Sequence, residues 1–240
     1  MFAIHPFAAL TGPQVSRSLI LCLVRPMTTV TPLKKRQMNE FSNEHIPYRI
    51  HFVEMGIFAC LLIGRGEAAK PGPLSVAGWT FQDSGKTIFL NMAVESALMY
   101  CRVLLNFLGI YKLQKRRALQ SRAPRPNFRE SEVWIERFPN GRLLSTTELC
   151  HLPGGAMHPR TIRAHVIETL HAASRGVAHL TLPKGRDIKS SKLRVGPLLT
   201  TCTLVRHHVR EHFYRQTLNT SHPASMDHFD EMYLKHFQRA

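Results

Sequence analysis

The stretch from Asp83 to Tyr111, DSGKTIFLNMAVESALMYCRVLLNFLGIY, is the longest helical pattern in the chain and constrains the fold more than any other. Asp83 or Ser84 is placed to cap it, because a short side-chain oxygen accepts from the unpaired amides of a first helical turn. From Ile88 to Leu108, apolar residues surround most of the circumference. A helix apolar on nearly all sides is expected to be buried at the centre of its domain. Four polar residues interrupt it. Asn91, Glu95, Arg102 and Asn106 are spaced by four, seven and four residues. At 100° per residue they share an arc of roughly 60°, a single polar seam along an apolar rod. A buried Glu or Arg is costly unless paired, so the seam has to meet water, partner groups or a second subunit. A solvent-facing strip is the plain reading, and a functional groove or dimer seam the sharper one.

Two more helices are expected. One runs from about Pro159 to Leu180, with Ile162, Val166, Leu170, Ala173, Val177 and Leu180 as its buried stripe. The other spans about Gly196 to Leu218, with Leu198, Cys202, Val205, Val209, Phe213 and Tyr214 inward. A short last helix through Phe229 and Met232 follows. Glu132–Phe138 reads as an extended piece closed by a turn at Pro139-Asn140-Gly141. Ser145 to Glu148 reads as the cap of a short helix. The fold class is therefore mainly α, a helical bundle over residues 79–240. Prolines punctuate every apolar run of residues 1–78, and Gly64–Gly78 reads as a linker. That region is expected to be a loosely ordered extension, or to precede a true start at Met27, Met38 or Met55.

The charge is +16, with a pI of about 10.3. A surplus of that size points to an anionic partner, with nucleic acid ahead of a membrane surface. Lys112 to Arg125 carries six basic residues and no acid, so Lys115, Arg116 and Arg117 are candidates for holding phosphates. The five cysteines are far apart and form no CxxC pair, which suits a reduced, cytoplasmic chain. Glu95 and Arg102 in mid-helix argue against a membrane span there. No cofactor motif occurs. Asp83-Ser84-Gly85-Lys86-Thr87 imitates the end of a P-loop without its first glycine.

Chemistry has two candidate seats. Arg175 and His179, four apart, adjoin on one helix face. A metal-independent ribonuclease needs a base for the 2′-hydroxyl and a cation for the phosphorane charge, and His and Arg fit those roles. His208 and His212 are also four apart, the spacing of a two-histidine metal site, with His228 or Asp230 as a third ligand. Such pairs are unsurprising in a chain with 14 histidines.

Two segments resemble a known family. Glu95, with Tyr100-Cys101-Arg102-Val103-Leu104-Leu105-Asn106-Phe107, is similar to the first helix of small bacterial HEPN-like helical proteins. Val177-Ala178-His179-Leu180-Thr181, after Arg175, resembles a later segment of the same proteins. The likeness covers about residues 80–220. It implies an often dimeric α-helical bundle, some members of which are ribonucleases and others non-catalytic binding domains. It implies Arg175 and His179 as the active motif; if the two helices pack antiparallel with their polar stripes in a shared cleft, Arg102 joins them as a catalytic candidate, with Glu95 and Asn106 at the substrate. Two departures are plain: only three residues separate Arg175 from His179, and Tyr100 stands where the family has His. The expected functions are RNA binding with weak ribonuclease activity, a non-enzymatic helical dimer or interaction module, and a His-rich metal-binding bundle.

Overall fold

The computed structural model describes residues 31–67, 69–76, 79–113, 118–122, 133–151, 157–174 and 194–233. The first helix, α1 (Lys35–Glu40), passes through a π-helical turn at Phe41–His45 into α2 (Ile46–Gly64). A small antiparallel hairpin, β1 (Leu74–Val76) and β2 (Trp79–Phe81), pairs Leu74 with Phe81 and leads into α3 (Asp83–Phe107). A second hairpin, β3 (Ile110–Lys112) and β4 (Leu119–Ser121), follows. A 3₁₀ turn at Ile135–Arg137 precedes α4 (Thr146–Leu149), α5 (Pro159–Ala172) and α6 (Val195–His208). The last of these continues as π-helix over Val209–Leu218, and α7 (His228–Tyr233) closes the described chain. The molecule is mainly helical, as the periodicity implied.

The core is assembled around α2. Ile46, Ile50, Val53, Phe58, Ala59 and Cys60 are all buried, and α2 packs along both α3 and α6. The expected boundary near residue 78 is therefore corrected, because residues 46–62 supply the centre of the bundle rather than a peripheral extension. Proline misled the reading. Pro47 follows the π-helical turn directly, inside the continuous helical stretch Lys35–Gly64, and a π-turn is one place where a helix takes up a local irregularity. Close approach of α2 to α3 is set by Gly56, where an added Cβ would collide with the Ala97 Cβ. Around the C-terminal end of α3, Phe107, Phe138 and Phe213 meet edge to face at 4.9–6.0 Å. The Tyr214 hydroxyl donates to the Ser42 carbonyl at 2.5 Å, tying the π-helical segment to the turn before α2.

Other local expectations fare unevenly. All six residues expected inward on the last long helix are buried. Ser145 and Glu148 form a reciprocal capping box at α4. On α5, Ile162, Val166 and Leu170 are buried, while Val177 and Leu180 lie outside the described residues. The cap of α3 is corrected: Gln82 holds the N-cap position, and the Asp83 carboxylate accepts from the Gly72 amide at 2.9 Å. Lys86 is buried and donates to the carbonyls of Lys70 and Gly72, so the P-loop-like run anchors the turn that leads into the hairpin to α3.

Two helical stretches, Lys35–Gly64 and Asp83–Phe107, are long and apolar enough to cross a membrane by length and composition. The first is mostly buried inside the bundle and the second mostly not.

Candidate interaction face on α3

The long central helix of the sequence is not central. Its inner side carries Leu90, Ala97, Cys101 and Leu104, all buried against α2 and α6. Its outer side is open, and four apolar residues expected in the core are there instead. Ile88 is 59% exposed, Met92 62%, Met99 46% and Val103 39%. They recur at intervals of four, seven and four, which is one stripe down the helix. The reason is a shortage of neighbours: the described elements that contact α3, namely α2, α5, α6 and the strands β2 and β3, leave this arc exposed. Beside the stripe, Tyr48 on α2 is 55% exposed and lies against Phe52 and Tyr100, whose rings stack at 4.8 Å. Contiguous exposed apolar surface of this kind marks binding faces more often than single exposed residues do.

The polar seam runs alongside this stripe. Asn91, Glu95 and Arg102 are exposed and Asn106 half-buried, as the plain reading of a solvent-facing strip implies. Neither Glu95 nor Arg102 enters an ion pair among the described residues. Tyr100, in the place where the HEPN-like pattern has His, belongs to the aromatic cluster. Burial and then the Tyr48 hydroxyl hold its phenol above the ordinary value, which leaves it protonated at neutral pH. Arg175, His179, Lys115, Arg116 and Arg117 lie outside the described residues, and so does any approach of His179 to Arg102.

The charge surplus is unevenly shared. The described residues hold 18 of the 32 Lys and Arg and 13 of the 16 Asp and Glu, a net +5. The remaining segments hold 14 basic and three acidic residues, a net +11. The bundle itself is thus only mildly basic.

His208 and His212 have a different task from metal binding. His208 Nε2 donates to the Leu149 carbonyl at 3.1 Å and His212 Nε2 to the Arg142 carbonyl at 2.7 Å. Together they pin the segment around α4 to the last long helix, at a cleft of about 420 Å³ shared with Thr147 and Glu148. Of the two residues expected as a third ligand, Asp230 pairs with Arg206 and Arg210 at 2.8 Å, and His228 lies 3.9 Å from Glu231. Among the described residues, no group of three or more His, Cys, Asp or Glu could hold a metal ion. Burial pushes His208 down to about 4, with His207 and His212 adding to the shift and the Leu149 carbonyl and Glu148 opposing it. Burial acts against ionisation of Glu148, but Ser145 and Arg142 outweigh it and hold the carboxyl at about 2.

One cluster carries no motif in the sequence. Glu54, on the buried side of α2, accepts from Arg206 Nε on α6 at 2.7 Å, and Arg206 reaches on to Asp230 of α7. Burial raises Glu54 despite Arg206 and His51 beside it. An acid within the otherwise apolar run of α2 was the available signal, because such a group needs a buried partner.

Comparisons with protein-family models, curated proteins and solved structures return no match.

Proposed function

We propose that this chain is a cytoplasmic, non-enzymatic helical interaction module that self-associates through the outer face of α3. The supporting observation is the unpartnered stripe of Ile88, Met92, Met99 and Val103, flanked by Tyr48. Covering such a stripe removes apolar area from water at roughly 25 cal/mol per Å². The four described cysteines, all free and buried, suit a reduced compartment. Light scattering across protein concentrations tests this. Wild type is expected to reach dimer mass, and a Met92→Glu, Met99→Glu variant to stay monomeric with its melting temperature unchanged. A wild-type chain that is monomeric throughout sinks the reading.

A second reading has its own observation, the net +11 of the segments outside the described bundle. In it, a HEPN-like chain contacts RNA through Lys115, Arg116 and Arg117, with Arg102, Arg175 and His179 supplying any cleavage, and Glu95 and Asn106 lining the substrate. RNA affinity should then fall steeply with salt. His179→Ala should abolish cleavage without changing affinity. Salt-independent or absent RNA binding removes this reading.

A further inference from the structure

The polar seam on α3 has an internal symmetry that selects its partner. Asn91 and Asn106 are centred between Leu98 and Met99, and so are Glu95 and Arg102. The order Asn, Glu, Arg, Asn thus reads as a charge-complementary palindrome about that point. The apolar stripe has a centre of its own, between Glu95 and Ser96, three residues or about 4.5 Å along the helix from that point, so an axis at the seam's centre still passes through the stripe, beside Met99.

We infer that the outer face of α3 docks against the α3 of a second copy, antiparallel, about a two-fold axis beside Met99. This rests on the interaction-module reading above. A two-fold axis perpendicular to the plane of two antiparallel helices keeps the seam on the same side of both. Residues whose numbers are symmetric about the centre then meet. Glu95 faces Arg102 of the partner subunit, and the reciprocal pair forms at the same time; the two asparagine pairs flank them. Within one helix these charges are seven residues apart, about 10 Å along the axis, so among the described residues each lacks its opposite until the copies dock. A parallel two-fold dimer would put the two seams on opposite sides of the interface and bring none of these charges together. The interface is isologous, the same patch used twice, as a closed dimer requires. Met99 lies next to the axis and meets its own symmetry mate.

Charge inversion tests the register. Glu95→Arg alone and Arg102→Glu alone each place like charges across the seam, and each should weaken self-association by roughly tenfold in sedimentation equilibrium. An equimolar mixture of the two variants should recover association, because every charged pair across the seam then joins an arginine to a glutamate. The double variant should recover it by itself. Both inverted positions are solvent-facing in the monomer, and melting curves check that each variant folds. Met99→Cys should form a disulfide-linked dimer under mild oxidation. If wild type dimerises but single inversions associate as tightly as wild type and the mixture shows no recovery, the antiparallel register is wrong while the interaction face stands. If wild type remains monomeric and floats with anionic phospholipid vesicles, a lipid surface covers the stripe and both readings fall. A monomer that ignores vesicles also overturns both.

Discussion

Helices α2 and α3 are both long and apolar enough to pass for membrane spans, yet the bundle treats them differently. Helix α2 is enclosed by α3 and α6, and its single acid, Glu54, is buried and held by Arg206. Helix α3 gives one side to the core and leaves the other open, and its charges, Glu95 and Arg102, stand in water. Apolar content alone therefore does not decide burial. What decides it is how many neighbours each helix has, and a charged residue reports which case applies. An enclosed charge comes with a partner in the same chain, whereas Glu95 and Arg102 have none among the described residues.

The largest expected effect separates those two kinds of charge. Arg206→Ala strands Glu54 in the interior with only His51 nearby, and should cost about 3–5 kcal/mol in chemical denaturation. Glu95→Ala and Arg102→Ala should each stay within about 0.5 kcal/mol of wild type. Equal costs at the two sites would erase the distinction between them.

Next comes the contrast between the two sides of α3. Leu104→Ala removes a fully buried side chain and should cost about 2–5 kcal/mol. Met99→Ala, on the open side, should cost about 0.5 kcal/mol or less when the monomer is measured under dilute conditions. A Met99 variant as damaging as the Leu104 one would mean that the outer face is packed within the monomer.

Between α2 and α3, Gly56→Ala forces a methyl into Ala97 and should cost about 1–3 kcal/mol by overpacking. A neutral result would show that the two helices can part without loss.

How much was legible in the sequence follows the same division. Helix α6 and its continuation were readable to the residue, because both sides of the pattern agree: Leu198, Cys202, Val205, Val209 and Phe213 are inward and buried. The capping box at Ser145 was readable because it is a local exchange of hydrogen bonds. The importance of α2 was hidden by Pro47, a residue that ordinarily ends or kinks a helix and here follows a π-helical turn within one. The open side of α3 was hidden because periodicity counts apolar positions but not the elements available to cover them. For His208 and His212, spacing suggested a metal pair; their use as donors to the Leu149 and Arg142 carbonyls depends on residues some 60 to 70 positions away.

The last stability effect is conditional on acid. His208 is neutral in the folded chain until about pH 4, while the unfolded chain takes up a proton near its ordinary value of 6.5. Its contribution is complete above 6.5 and is lost as the pH falls toward 4, up to about 3 kcal/mol. Burial lowers His207 as well, so it acts in the same direction. His208→Gln keeps a donor for Leu149 without a titrating group and should flatten that part of the stability–pH curve. An unchanged slope would place the acid sensitivity elsewhere. The outer face of α3 holds no histidine, so its behaviour should not follow this profile.

Methionine oxidation by peroxide, followed residue by residue at low and high protein concentration, tests the role of that face most directly. Met92 and Met99 should oxidise readily in dilute solution and become protected as concentration rises, while the partly buried Met38 and Met55 keep constant rates. Oxidation of Met92 and Met99 at the same rate across all concentrations would contradict an interface on α3.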